Sequence, residues 1–221
     1  MPRRLLVPLA LLLGLLLALG SPRAGHAQRT DTLGSSDSPI PGLDVVPQSQ
    51  KSDVPYVPTA TPVVNKMLEM ADVDGDDLVY DLGSGDGRIV IQAAKRYGAR
   101  GVGIEIDPEL VEKARAKAQA AGVSDRVQFR QADLFETDFS DATVVTMYLL
   151  PSVNKELRPQ LFEQLAPGTP VVSHDFDMGA WEPEQTAKLE GDLVYRWTIP
   201  EEVPAHLQED LQEDAAEDGT P

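Results

Sequence analysis

The sequence predicts an α/β domain: a doubly wound, mostly parallel sheet finished by an antiparallel β-hairpin. Two observations predict it. Across residues 54–200, short runs rich in β-branched residues alternate with amphipathic helical stretches, which sets parallel strands side by side under helices on both faces. Near the end of that region, two apolar runs flank Gly191-Asp192, a turn pair that adds antiparallel strands at one edge. There are too few strand–helix units for an eight-fold barrel.

The elements follow in order. Thr61 stands as an N-cap before Pro62, and Val63, Val64, Met67, Leu68 and Met70 space out one apolar helical face. Asp74-Gly75-Asp76 is expected to end that helix. Leu78 to Leu82 is a short apolar strand running into a glycine-rich loop, followed by a helix from Gly87 to Tyr97 that Gly98 stops. Gly101 to Ile106 is the next strand. Asp107 caps a helix with Pro108 in its first position, closed by Gly122. Residues 126–131 and 142–149 are strands, 153–165 a helix, and 169–173 a fifth strand. Residues 186–190 and 193–199 form the hairpin.

The two ends read differently. Arg3 and Arg4 precede a 15-residue apolar run, Leu5 to Leu19, and Gly25-His26-Ala27 offers small residues where a signal peptidase cuts. Residues 1–27 are expected to be a signal peptide or an N-terminal membrane anchor; the run falls short of the roughly 20 residues of a spanning helix. Either form places the domain outside the cytoplasm or facing outward, with a cytoplasmic location as the alternative. Residues 28–53, rich in Ser, Asp, Pro and Gly, read as a flexible linker. Residues 201–221 hold eight carboxylates and no Lys or Arg, and read as an acidic, disordered tail with at most a short helix near Leu207 and Leu211.

Composition narrows the partners. With 19 Lys and Arg against 36 Asp and Glu, the net charge of −17 argues against nucleic acid, because phosphate wants the opposite sign. The chain has no cysteine, which excludes disulfides, thiolate metal sites and cysteine nucleophiles. No metal constellation stands out among the three histidines His26, His174 and His206.

The chemistry sits around Asp81-Leu82-Gly83-Ser84-Gly85-Asp86-Gly87, between a strand and a helix. Such glycines let the backbone turn sharply and approach a ligand, and the helix N–H groups face the same crevice. Arg88 stands where the third glycine of a dinucleotide fingerprint would fall, so a nicotinamide dinucleotide is the weaker alternative. Asp81 suits a positive amine or sulfonium. Glu105, with Ile106 beside it, ends the second strand, where a carboxylate accepts both hydroxyls of a ribose. Asp133 follows the third strand within reach of an adenine amino group, with Leu134 and Phe135 beside the ring. Three acids after three successive strands, together with the glycine loop, point to S-adenosyl-L-methionine in a Rossmann-like fold.

These residues resemble the class I methyltransferases. Further stretches resemble a narrower group: Val54-Pro55-Tyr56-Val57-Pro58-Thr59, Thr143 to Pro151 followed by Asn154, Leu157, Arg158 and Pro159, then Pro167-Gly168-Thr169, Val172 to Gly179, and Trp181. That group is the small lysine methyltransferase family acting on the adenine nucleotide translocase and the ATP-synthase c subunit, with its bacterial relatives. The resemblance implies a protein-lysine N-methyltransferase, cofactor contacts from the glycine loop, Glu105 and Asp133, and a cover formed by Tyr56 and Thr59. The export-like leader and acidic tail depart from the mitochondrial relatives.

Methyl transfer is an in-line displacement, so the expected catalytic groups are those that position the acceptor or take its proton. Tyr148 ends the fourth strand, where it lines the pocket or packs as an ordinary aromatic. Asn154 reads as a helix cap or a pocket contact. His174 and Asp175 end the fifth strand on the crevice side, where His174 is a proton acceptor or a structural histidine. The Asp or Asn followed by prolines and an aromatic that many relatives carry near Tyr148 is missing. Two other readings stand beside lysine methylation: a small-molecule methyltransferase, and an exported module that keeps the cofactor fold without catalysis.

Overall fold

The computed structural model describes residues 56–208 and residue 211. The chain divides into residues 1–45 and residues 46–221, and every described residue belongs to the second unit. The leader and linker expected over residues 1–53 lie outside the described residues, as does most of residues 209–221. Among the described residues no helix is long and apolar enough to cross a membrane.

The elements in chain order are α1 (Thr61–Met70), β1 (Leu78–Leu82), α2 (Arg88–Tyr97), β2 (Arg100–Glu105), α3 (Pro108–Ala121), β3 (Val127–Gln131), a 3₁₀ turn (Leu134–Glu136), β4 (Val144–Met147), α4 (Pro151–Gln164), β5 (Pro170–His174), β6 (Gln185–Leu189) and β7 (Asp192–Thr198). The seven strands form one sheet in the order β3-β2-β1-β4-β5-β7-β6. Neighbours from β3 to β5 pair parallel, while β7 runs antiparallel to both β5 and β6. This is the Rossmann-like, doubly wound sheet with an antiparallel hairpin that the sequence predicts.

Alternating side chains build two cores. Val79, Val144 and Val172 face a cluster shared with Met67 and Leu68 of α1, Val90 of α2, and Ala114 and Ala118 of α3. Their chain neighbours Tyr80, Val145 and Val171 face the opposite cluster, with Leu157 and Leu161 of α4, Trp181 and Trp197. A strand with two greasy faces must be covered twice, which places it inside a layered sheet. The chain winds outward from β1 to β3, then returns to β4 on the other side of β1. That reversal opens a crevice at the carboxyl ends of β1 and β4.

Local chemistry moves several boundaries. Ala60, not Thr61, is the N-cap of α1, and Pro62 sits in the first turn, where its missing N–H costs nothing. That helix ends at Met70, well before Asp74, because Asp72 turns left-handed at φ 55°. Helix α4 begins at Pro151 for the same first-turn reason as α1. The hairpin turn is Glu190-Gly191, not Gly191-Asp192, with φ 52° and 117°, and Leu189 pairs Asp192 across it. Positive φ at both central positions is the type I′ pattern, whose twist suits a hairpin, and glycine serves the second position. The segment expected to be tail is packed at its start: residues 205–208 form a helical turn, and Leu207 is 1% exposed against the second core.

Candidate active site

The crevice at the switch point is a cleft of about 860 Å³, within the usual range for small-molecule sites. Of the residues the sequence singles out for the cofactor, Tyr56, Thr59, Asp81, Gly83, Ser84, Asp86, Glu105, Ile106, Asp133, Leu134 and Tyr148 line it. Gly85 and Gly87 do not line it, nor do the catalytic candidates Asn154 and His174.

Asp81, one residue before the end of β1, is fully buried, and the Thr146 hydroxyl donates to its Oδ1 at 2.8 Å. Desolvation dominates its titration. Against the lowering effect of Thr146, and helped by the nearby Glu105 and Asp86 charges, burial pushes the Asp81 carboxyl up to about 7. A carboxylate this costly to ionise has reason to meet a cation. Glu105 ends β2, its Oε2 accepting the Gly85 N–H at 2.8 Å and its Oε1 the Asp107 N–H at 3.0 Å. These bonds fix the carboxylate while each oxygen keeps a second lone pair for a hydroxyl. Asp133 caps the 3₁₀ turn, accepting the Phe135 N–H at 2.9 Å, and Ala132, Leu134 and Phe135 give that end of the cleft an apolar lining. The Ser84 Oγ is buried without a hydrogen-bond partner. Fixed carboxylates, an apolar slot and an orphaned hydroxyl fit an adenosyl group with a cationic amino-acid arm.

The glycine loop does two jobs. A Cβ on Gly85 would fall 2.4 Å from the Tyr56 ring, so Gly85 lets the preceding segment lie flat on the loop. Gly87, left-handed at φ 77°, is a packing residue: a Cβ there would strike Phe129 and Ala114. Its bare Cα permits the close approach of α2 to α3 and β3.

Arg88, read in the sequence only as an interruption of a dinucleotide fingerprint, holds the cover in place. Its Nε and Nη2 donate to the two oxygens of Asp86 at 2.9 and 2.8 Å, its Nη1 to the Thr59 carbonyl at 2.6 Å, and its Nη2 to the Tyr56 hydroxyl at 3.1 Å. Lys117 also donates to Asp86. Burial works to raise Asp86, but bonds from Arg88, Lys117 and Tyr56 outweigh it and hold the carboxyl far below its ordinary range. Burial, with Asp86 beside it, pushes the Tyr56 phenol up to about 12. Asp86 therefore anchors Arg88 and Lys117 from the wall of the cleft. The signal that could have found the clamp was an arginine two residues after an acid in a loop that otherwise wants small residues.

The catalytic candidates separate. Tyr148 lines the cleft, its ring 4.0 Å from the His174 ring and stacked at 6.0 Å on Phe176. Asn154 is fully buried, and its amide donates to the Ser173 hydroxyl and to the carbonyls of Phe176 and Asp177. It splints the loop after β5 through its amide nitrogen, and it is not the helix cap, since Leu150 caps α4. His174 is 3% exposed, with Nδ1 at 3.2 Å from the Thr59 hydroxyl. Burial lowers its titration even though Asp175 and Asp192 pull the other way. The fold brings His174, Asp175 and Asp192 together with ligand atoms within 4.8 Å, a grouping invisible in the sequence because Asp192 arrives from the hairpin.

A family model described as the ANTKMT methyltransferase domain matches residues 81–185. A protein-lysine N-methyltransferase of Saccharolobus islandicus (strain REY15A) is 48% identical over 153 residues, covering 67% of this chain and 95% of that protein. The adenine nucleotide translocase lysine N-methyltransferase of Mus musculus is 36% identical over 160 residues, covering 72% of this chain and 68% of that protein. Among solved structures, an RNA methyltransferase from Salinibacter ruber in complex with S-adenosyl-L-homocysteine is 73% identical with a TM-score of 0.67, covering 67% of this chain and 97% of that one.

Proposed function

Because the chain belongs to the ANTKMT methyltransferase family, and is thus an S-adenosyl-L-methionine-dependent methyltransferase, we propose that it transfers the methyl group to lysine side chains of a protein. The observation that carries this reading is the 48% identity across nearly the whole length of a protein named a protein-lysine N-methyltransferase. The site supports it. Asp81, Glu105 and Asp133 are spaced around the cleft to hold the amino-acid arm, ribose and adenine of the cofactor, which supplies an electrophilic methyl on a sulfonium. Arg88 ties Tyr56 and Thr59 down, so that residues 56–59 lie as a strap along the cleft. Tyr148, with Leu149, Leu150 and Val153, walls the side where an acceptor enters, an apolar lining that suits a lysine's methylene stem.

An RNA acceptor is the second reading, favoured by the name of the Salinibacter ruber enzyme. The net charge of −17 opposes it, since an RNA-binding face collects Lys and Arg. Purified protein incubated with radiolabelled S-adenosylmethionine and cell extract separates these readings. The expected label resists nuclease, is released by protease, and runs as methyllysine after hydrolysis. Label released by nuclease, or found only in small molecules, overturns the lysine reading.

The substrate's location follows the leader. We propose that residues 1–27 direct the domain out of the cytoplasm or anchor it facing outward, so that the acceptor is an exported or membrane-associated protein. Arg3, Arg4 and the apolar run from Leu5 to Leu19 support this. Cell fractionation with sequencing of the mature N-terminus tests it, and an uncleaved protein found wholly in the cytoplasm refutes it.

A further inference from the structure

Where β5 ends, the chain turns through Asp175 at φ 62°, a left-handed conformation that aspartate and asparagine adopt more readily than other residues with side chains and that a local constraint holds here. Leu193 of β7 supplies the constraint. The Asp175 N–H donates to the Leu193 carbonyl at 2.8 Å, and the Leu193 N–H donates back to Asp175 Oδ1 at 2.8 Å. This leaves Oδ2 aimed away from the hairpin backbone. There it accepts from the Tyr148 hydroxyl at 3.4 Å and lies 3.5 Å from His174 Nε2. Asp192 Oδ2 lies 4.0 Å from the same nitrogen. That nitrogen is buried and has no hydrogen-bond partner.

The charges do not balance. Other acids of the domain do have a cationic partner: Asp86 has Arg88 and Lys117, and Glu184 has Arg196. Among the described residues, neither Asp175 nor Asp192 has a Lys or Arg within ion-pair distance, and burial keeps the imidazole between them from charging readily. Two carboxylates, a phenol and an unpartnered ring nitrogen therefore meet with no Lys or Arg of the described residues among them. Tyr148 belongs both to this cluster and to the cleft wall, where Phe176 stacks on it. Aromatic faces beside carboxylates attract an ammonium.

Building on the lysine reading above, we propose that Asp175 and Asp192, with the Tyr148 hydroxyl, form the station that receives the acceptor ammonium, and that Asp175 takes its proton. The ammonium gives one proton to the Asp175 carboxylate and becomes a neutral amine. Its lone pair forms the new N–C bond as the C–S bond breaks, and that bonding pair stays on sulfur. The product is a methylated ammonium and a neutral thioether, and Asp175 then releases its proton to water. A neutral His174 leaves Asp175 free to accept. Its Nδ1, paired with Thr59, ties the station to the strap over the cofactor cleft.

The test uses the full chain saturated with S-adenosylhomocysteine, and two blocked pentapeptides that differ only in a central lysine or norleucine. Asparagine in place of Asp175 keeps an acceptor for Leu193 and tolerates the left-handed backbone, so Asp175→Asn removes charge and little else. Wild type is expected to prefer the lysyl peptide. Asp175→Asn should weaken that peptide by about tenfold or more and Asp192→Asn by roughly threefold, with norleucyl binding and S-adenosylhomocysteine affinity unchanged. In turnover, Asp175→Asn should lower kcat as well as raise KM, while Asp192→Asn should raise KM alone. A wild type that does not discriminate between the peptides overturns the proposal. So does an Asp175→Asn chain that keeps wild-type lysyl affinity, or stoichiometric zinc or manganese binding that His174→Ala abolishes. If methyllysine still forms while the variants behave as wild type, only this inference falls. If wild type makes no methyllysine on any protein, the functional reading falls with it.

Discussion

Asp81 makes cofactor binding depend on protons. Its carboxyl is wholly buried, and desolvation, assisted by the charges of Glu105 and Asp86, lifts it from 3.8 to about 7. A cationic arm docking beside it favours the charged form, so binding should expel a proton wherever Asp81 is still protonated. With a value near 7, about a tenth of the free protein is ionised at pH 6 and about nine tenths at pH 8. Affinity for S-adenosylhomocysteine should therefore rise about tenfold across that window, or ~1.4 kcal/mol. The sign reverses for the stability of the empty protein. Ionising an acid raised inside the fold costs stability, so stability should decline as pH climbs from about 4 to about 7 and then level, by at most ~4 kcal/mol. Calorimetric titration in buffers of different ionisation heat counts the protons, with close to one released at pH 6. Asp81→Asn should bind more weakly and lose the pH slope. An affinity flat between pH 6 and 8, or a slope that survives Asp81→Asn, refutes the reasoning.

Other perturbations test the cover and the domain boundary. Arg88→Ala unties Thr59 and Tyr56 from the loop, and should weaken S-adenosylhomocysteine by about tenfold and open residues 56–60 to protease. Arg88→Lys should not rescue it, because one ammonium cannot bridge both Asp86 oxygens and the Thr59 carbonyl; full rescue by Lys would count against the clamp. Gly85→Ala drives a methyl into the Tyr56 ring from a backbone at φ 53°, costing roughly 1–3 kcal/mol by chemical denaturation. Adding Tyr56→Ala should recover the steric part of that loss and leave the backbone part, and strict additivity would contradict the contact. Leu207→Ala should cost about 2–4 kcal/mol, and a neutral result would return residues 201–208 to the tail.

Much of this protein was legible in the chain because local chemistry decided it. Asp107-Pro108 and Gly122 bracket α3 by capping and by left-handed closure, which neighbours in sequence suffice to specify. The alternation of buried strands with amphipathic helices set the doubly wound class, and the order Asp81, Glu105, Asp133 set the cofactor, since parallel strands bring their carboxyl ends to one edge. What the sequence left open depends on pairs far apart in the chain. Arg88 looked like a blemish in a motif until the fold laid Thr59 and Tyr56 against it, 29 and 32 residues away. Asn154 read as a helix cap or a pocket contact, and only the fold showed its amide bonded to the loop after β5. Leu207 read as part of an acidic tail with at most a short helix, because eight carboxylates outweigh two leucines in composition, though not against a waiting apolar surface. Asp175 and Asp192 meet only because β7 inserts between β5 and β6. Burial and charge pairing act through space, and space is set by the whole sheet.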